Sequence, residues 1–149
     1  MPAKTGQEQL DELFPRATAV DKSSLWIDYW RNMCPPDLRG LQPRHSENGG
    51  EYQFAREVGR HWRFDWCIVE ALVAVEVDGG NRMAKWSSKL HQCVVVGRHT
   101  LDADYEKLNA AAALGWRVFR FTPGMLKRDP YGCVQMVAGA VTEATAARQ

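Results

Sequence analysis

The 149-residue sequence has no apolar run that approaches the roughly 20 residues a membrane span needs, and its first residues, MPAKTGQEQLDELF, hold no apolar stretch typical of a secretory signal. It also lacks any C-x-x-C pair, since its cysteines stand far apart at Cys34, Cys67, Cys93 and Cys133. We therefore expect reduced thiols in a cytoplasmic protein that has no membrane association. A zinc site built from these thiols and the four histidines has no ligand spacing to favour it.

Neither sign of charge predominates, because the sequence has 19 lysines and arginines and 18 aspartates and glutamates. A net charge near zero neither indicates nor excludes a polyanionic partner, since binding depends on where the charges sit. Residues 81–100 are the one clearly basic stretch, without an acidic residue among them; its arginines and lysines are Arg82, Lys85, Lys89 and Arg98.

Hydrophobic periodicity divides the first half of the chain into helices, a loop and strands. Residues 1–34 are predicted to be helical, with Leu10, Leu13 and Phe14 on a first segment and an aromatic stripe from Trp26 to Met33 after the cap candidates Ser23 and Ser24. Residues 35–50, rich in proline and glycine, are predicted to be a loop. Three strand-like segments follow, at 51–56, 61–69 and 71–78, and suggest a β-meander.

The second half continues with a helix, a strand and further helices. RMAKWSSKLHQ fits either a loop or a short helix, and CVVV a brief strand. Residues 102–114 are predicted to form a helix and 116–121 a strand, while Thr122-Pro123 and Asp129-Pro130 mark the starts of a short and a final helix. The order predicts one α/β domain with a mixed β-sheet flanked by helices.

Two carboxylates end an apolar strand in VAVEVDGG. Because side chains at i and i+2 point to the same side of a strand, Glu76 and Asp78 are expected to emerge together. Carboxylates there cost several kcal/mol unless they are paired or bind metal. Asp65 lies in WRFDW, and a hairpin between the two strands would set it near Glu76. Three converging carboxylates form an oxygen-ligand site suited to Mg²⁺ or Mn²⁺.

Each carboxylate also has an ordinary structural interpretation. Asp78-Gly79 is a common turn dipeptide. Glu76 could instead pair across the sheet with an arginine such as Arg63 or Arg117, and Asp65 could do the same. The conjunction of all three with an apolar setting, a glycine pair and a basic segment favours the metal site.

The ordered blocks WRFDW, VAVEVDGG, GRHT and DYEKLNAAAALGWRVFRFT resemble the PD-(D/E)XK nuclease superfamily. The resemblance is to a small, often phage-borne branch similar to the very short patch repair endonucleases, and it covers about half the chain. It implies a restriction-endonuclease-like core in which a helix, a β-meander, a helix and a strand follow one another. Residues 51–125 would form this catalytic core, and 126–149 a C-terminal helix.

Carried over by position, the resemblance implies that Asp65 and Glu76 bind metal and that the Val77 carbonyl is a further ligand. The motif lysine falls on Asp78, which would bind metal or accept a proton from water. Lys107 could then supply the missing positive charge, although a surface pair with Asp104, three residues earlier on the same helix face, is the alternative.

The implied activity is metal-dependent hydrolysis of DNA phosphodiester bonds, with one or two Mg²⁺ or Mn²⁺ ions as cofactor. His99 could contact the scissile phosphate or protonate the leaving group. The four basic residues of the 81–100 stretch are the candidate phosphate contacts. Small nucleases of this kind often pair, so a homodimer is expected alongside DNA as a partner.

Two other functions stay open at this point. One is a non-catalytic DNA- or partner-binding module on a degenerate nuclease fold, against which the intact Asp65 and Glu76 argue. The other is an unrelated hydrolase of a small phosphorylated substrate, although the chain has no glycine-rich phosphate loop after a strand.

Overall fold

The computed structural model describes the backbone of residues 19–78, 83–96 and 98–148, and the side chains of residues 23–78, 88–92 and 102–148. Within these ranges the helices are α1 (Ala19–Met33), α2 (Arg98–Ala113), α3 (Pro123–Arg128) and α4 (Pro130–Ala146). The strands are β1 (Arg44–His45), β2 (Trp66–Ile68), β3 (Val73–Val77), β4 (Met83–Ser87), β5 (Gln92–Val96) and β6 (Arg117–Phe121).

Four strands form a mixed sheet in the order β1-β2-β3-β6. β1 and β2 pair antiparallel, as do β2 and β3, whereas β3 and β6 run parallel. A parallel neighbour needs a crossover, and α2 lies between β3 and β6 in the chain. The expected mixed sheet flanked by helices is therefore confirmed.

The two faces of the sheet bury different apolar clusters. On one face, α1 and α4 pack over a cluster that includes Trp26, Trp66 and Phe121. On the other, α2 and the loop before β2 cover a smaller cluster that includes Phe64 and Trp116. Because apolar β2 and β3 side chains enter both clusters, these strands are buried on both sides, and a carboxylate on β3 is exceptional there.

The expected strand at 51–56 is wrong. Only Gln53 makes a bridge, to Arg63, and a 3₁₀ turn spans Arg56–Val58. The alternating aromatics of this segment pack without a strand ladder, since the Phe54 ring stacks on that of Phe64 with centroids 4.0 Å apart. Alternation produced by such packing imitates the pattern of a strand.

The two following strands are confirmed but shorter than expected. A 3₁₀ turn over Val69–Ala71 and a left-handed Leu72, with φ 51°, reverse the chain between β2 and β3. The short β1, inside the expected 35–50 loop, pairs with β2 in place of the 51–56 segment. The first strand of the meander is therefore β1 and not the predicted 51–56 segment.

The segment after β3 is a two-stranded hairpin. β4 and β5 pair antiparallel and form a separate sheet. CVVV is confirmed as a strand, whereas the loop or short helix expected for RMAKWSSKLHQ is wrong. RMAKWSSKLHQ has no β-branched residue and only Trp86 among the residues of high strand propensity, so its pattern gave no strand signal; β4 pairs instead with the valine-rich β5.

Several observed helix ends lie close to the predicted ends. α2 begins at Arg98, earlier than expected, and the strand at 116–121 is confirmed as β6. Thr122 and Asp129 cap α3 and α4 by accepting hydrogen bonds from Met125 N and Gly132 N. The 126–149 region is therefore not one helix, because Asp129 separates two.

Ser23 and Ser24 lie inside α1, so their assignment as caps is wrong. The helix predicted around Leu10, Leu13 and Phe14 lies outside the described residues. Cys34, Cys67 and Cys133 are buried free thiols, as expected, while the Cys93 side chain is not among those described. No helix within the described ranges is long and apolar enough to cross a membrane.

Candidate active site

The register of β2 and β3 brings Asp65 and Glu76 together. Trp66 pairs with Val75, so the residues just outside that pair, Asp65 and Glu76, face each other across the hairpin. The Asp65 backbone N–H donates to Glu76 Oε1 at 3.3 Å, and the Val77 N–H donates to Asp65 Oδ2 at 2.8 Å. The predicted proximity of the two carboxylates is confirmed.

Lys107 enters this site from α2. Its Nζ lies 2.9 Å from Glu76 Oε1, and the side chains of Lys107 and Glu76 are only 21% and 15% exposed. The ammonium also lies 5.9 Å from the centre of the Phe64 ring. Lys107 therefore pairs with Glu76 rather than with Asp104, the alternative partner suggested by helix spacing.

The electrostatics at Glu76 are unfavourable for a carboxylate without a cation. Burial, with the nearby charge of Asp65, raises the pKa of Glu76 to about 7, although Lys107 acts in the opposite direction. Loss of hydration penalises the charged form, and a like charge adds to that penalty. The pair with Lys107 therefore does not return the pKa of Glu76 to its ordinary range.

Asp78 has a different environment from Glu76. Arg120 on β6 donates from Nε to Asp78 Oδ2 at 2.6 Å, and its Nη2 lies 2.5 Å from the same oxygen. Asp104 on α2 lies 3.9 Å from Arg120 Nη2. Asp78 therefore pairs with Arg120, a partner that the sequence did not suggest. The alternative for Asp78, a turn with Gly79, stays a prediction because Gly79 lies outside the described residues.

Both ion pairs line one small cavity of about 20 Å³. Its walls include Glu76, Lys107, Asp78, Arg120 and Asp104. This volume has room for about one water-sized group. Asp104 and Lys107 thus share a helix face, as predicted, and their face is turned toward the end of β3.

Glu51 is a carboxylate near this site that the sequence did not single out. The Gln53–Arg63 bridge is antiparallel, so continuing its register by two residues sets Glu51 opposite Asp65. Burial and the charge of Asp65 raise the pKa of Glu51, whereas Arg63 and Lys107 lower it. The position of Glu51 follows from the Gln53–Arg63 bridge, which the sequence pattern did not predict.

The alternative arginine partners suggested for Glu76 lie elsewhere. Arg117 forms an exposed pair with Glu143, at 3.0 Å between Nη1 and Oε2. In the amide orientation that satisfies both groups, Gln53 accepts from Arg63 Nε at 3.2 Å and from Nη2 at 2.9 Å. Glu76 therefore takes its cation from a helix and not from a neighbouring strand.

The remaining predicted residues belong to the segment between β3 and α2. Lys89 is exposed at the turn between β4 and β5. Lys85 lies on β4, and Arg98 and His99 begin α2, but their side chains, like all of Arg82, fall outside the described part. The roles assigned to these residues stay predictions.

The donor chemistry of Asp65 and Glu76 fits a hard divalent cation. Within the described side chains, no three histidines, cysteines, aspartates or glutamates are grouped to hold a metal ion. Mg²⁺, however, is commonly bound through one or two carboxylates, with waters and substrate phosphates completing its shell. Two adjacent carboxylates, one with a raised pKa, are compatible with such a site.

Comparisons with models of known protein families, with curated proteins and with solved structures gave no match for this chain.

Proposed function

We propose that this chain is a metal-dependent endonuclease that hydrolyses DNA phosphodiester bonds, with Asp65, Glu76 and Lys107 as its catalytic residues. The observation that carries the proposal is the contact between Lys107 Nζ and Glu76 Oε1, at 2.9 Å, beside Asp65. Two carboxylates with an adjacent ammonium suit phosphoryl chemistry, which needs both a cation site and a donor for developing negative charge.

The proposed fold is a restriction-endonuclease-like core. It is supported by the antiparallel β2–β3 hairpin that carries Asp65 and Glu76 and by the parallel β6, reached through α2. The replacement of the expected 51–56 strand by β1 at the sheet edge leaves this part of the arrangement intact.

Asp65 and Glu76 would hold Mg²⁺ or Mn²⁺. When bound, the cation supplies Lewis-acid stabilisation of the charge that develops on the phosphoryl oxygens. The hydrogen bond from Val77 N–H to Asp65 Oδ2 orients the first carboxylate, and Lys107 orients the second. The Val77 carbonyl is a further ligand in the same proposal. Asp78 is engaged by Arg120, so its ligation of the cation stays a prediction from the motif position.

Lys107 takes the place of the motif lysine at the Asp78 position. An ammonium has three N–H donors, and the bond to Glu76 uses one of them. In the proposed reaction, Lys107 orients water or stabilises a phosphoryl oxygen. The water oxygen bonds to phosphorus and releases a proton, for which Asp78 is the predicted acceptor. The bond from phosphorus to the leaving oxygen breaks, and that oxygen takes up a proton. His99 is a predicted donor of this proton.

The test is cleavage of a supercoiled plasmid in Mg²⁺, Mn²⁺ and EDTA, by the wild type, Glu76→Gln and the matched control Glu143→Gln. Glu143 lies on the exposed side of α4, so its conversion to an amide leaves the site unchanged. We expect metal-dependent nicking by the wild type and the control only.

No cleavage of plasmid, single-stranded or branched DNA by folded wild-type protein would overturn the proposal in favour of a non-catalytic binding module. If cleavage occurs, the ratio of nicked to linear product tests the expected homodimer, because two paired sites cut both strands. We also propose a cytoplasmic location, in the host if the chain is phage-borne.

A further inference from the structure

An open groove of about 1010 Å³ lies on the side of the molecule formed by the loop after β1. Three arginines, Arg44, Arg56 and Arg63, line it together with Glu51 and Glu57. Cations thus outnumber carboxylates along the groove. We refer to it as the arginine groove.

The arginine groove adjoins the candidate active site. The Phe64 N–H donates to the Tyr52 carbonyl at 3.2 Å, and the Gln53–Arg63 bridge continues the same pairing. This register sets Glu51, a groove residue, opposite Asp65. The wall of the groove is therefore continuous with the segment just before β2 that carries Asp65.

Arg44, which lines the groove, is held in place by two contacts. Its Nη2 donates to the Gly49 carbonyl at 3.0 Å, and its guanidinium carbon lies 5.8 Å from the centre of the Tyr52 ring. Its Nε–H is buried and meets no acceptor among the described groups. A buried donor without an acceptor costs free energy in the unliganded protein.

Gly49 allows this close approach. It adopts a left-handed conformation, with φ 75°, and an added Cβ would lie 3.1 Å from Arg44 Nε. The backbone at this point therefore holds the guanidinium against the groove wall. Arg56 and Arg63 are exposed, so they face the solvent-filled part of the groove.

We propose that the arginine groove binds the sugar-phosphate backbone of the nucleic-acid strand next to the scissile phosphate, an inference that rests on the proposed nuclease function. Guanidinium groups are well suited to phosphate because they present several N–H donors in one plane. The strand would run from the Asp65–Glu76–Lys107 site past Glu51 and along Arg63, Arg56 and Arg44.

The test measures binding of labelled single-stranded and duplex oligonucleotides in EDTA, where cleavage does not interfere. The variant is the double substitution Arg56→Ala with Arg63→Ala, both at exposed positions. Its matched control is Arg39→Ala with Arg128→Ala, which removes the same charge from exposed positions outside the groove. Thermal unfolding of all proteins verifies that they are folded.

We expect the groove variant, and not the control, to bind at least one of the two DNA forms about tenfold or more weakly. Each lost phosphate contact lowers the slope of log affinity against log salt by about 0.9 for duplex or 0.7 for single strands, so the double variant should lose roughly 1.8 or 1.4. The form that shows the loss identifies the strand that the groove accepts.

Equal weakening in both double variants would overturn the proposal, because net charge alone would then account for it. Unchanged binding of both DNA forms by the groove variant would overturn it as well. These outcomes are separate from failure of the nuclease proposal. A wild type that never cuts DNA but binds it through the groove would retain the groove as a nucleic-acid site and lose the scissile phosphate beside it.

Discussion

Lys107 Nζ lies 2.9 Å from Glu76 Oε1, although 31 residues separate the two along the chain. β3 carries the carboxylate, and α2 returns over the same face of the sheet to bring the ammonium beside it. This contact joins a carboxylate that would hold the cation to an ammonium that would donate to the developing negative charge. The expected effects of several substitutions follow from it.

Lys107→Met should lower the rate of plasmid nicking by roughly 100-fold or more, because loss of one preorganised donor to developing charge has an effect of that size. Lys127→Met is the matched control, since Lys127 is exposed on α3. Initial rates in saturating Mg²⁺ provide the measurement. Nicking by folded Lys107→Met at the wild-type rate would remove Lys107 from the mechanism.

Glu76→Gln should change how stability depends on pH in the absence of divalent cations. The pKa of Glu76 is raised from its ordinary value of 4.5 to about 7 in the folded protein. The folded state therefore holds its proton more tightly, and the wild type loses stability as the pH rises from about 4.5 through about 7. This loss is roughly 3 kcal/mol when complete, and the amide variant lacks it.

Urea unfolding from pH 4.5 to pH 8.5 measures this difference. Glu143→Gln provides a control that should leave the pH dependence unchanged in this range, because Arg117 lowers the pKa of Glu143 and its titration therefore falls below pH 4.5. The wild-type contribution of Glu143 is present above its unfolded pKa and disappears as the pH falls. Parallel pH profiles of stability for the wild type and Glu76→Gln would contradict the conclusion that burial raises the pKa of Glu76.

Divalent cations should stabilise the folded wild type. Mn²⁺ at about 100 times its Kd adds roughly 2.7 kcal/mol if it binds only the folded state. Asp65→Asn and Glu76→Gln should lose this increment, since each removes one of the two proposed carboxylate ligands. Melting curves in Mn²⁺ and in EDTA measure it, and an increment retained by both variants would place the cation elsewhere.

Asp78→Asn tests whether Asp78 only stabilises the fold or also binds the metal ion. Asp78 is paired with Arg120 at 2.5 Å, and both side chains are partly exposed, at 28% and 34% respectively. The substitution should therefore cost about 1 kcal/mol of stability, with partial screening by salt. We expect the Mn²⁺ increment in melting temperature to remain. Its loss would instead support the ligand role that the motif position implies.

The sequence alone determined which residues could carry the chemistry. Asp65, Glu76 and Asp78 were identified because carboxylates in apolar strand patterns need compensation, and the β2–β3 hairpin was predictable from short-range pattern. Helix caps at Thr122 and Asp129 were equally local signals, each confirmed by a hydrogen bond to a backbone N–H within three residues.

Tertiary structure decided how those residues are partnered. Whether Lys107 pairs with Asp104 or Glu76 depends on how α2 packs against β3, and the choice of Arg120 for Asp78 depends on the parallel β3–β6 register. The same applies to Glu51, which the register of the Gln53–Arg63 bridge sets opposite Asp65. Such contacts join residues far apart in sequence, so they follow from packing of the folded chain and not from local pattern.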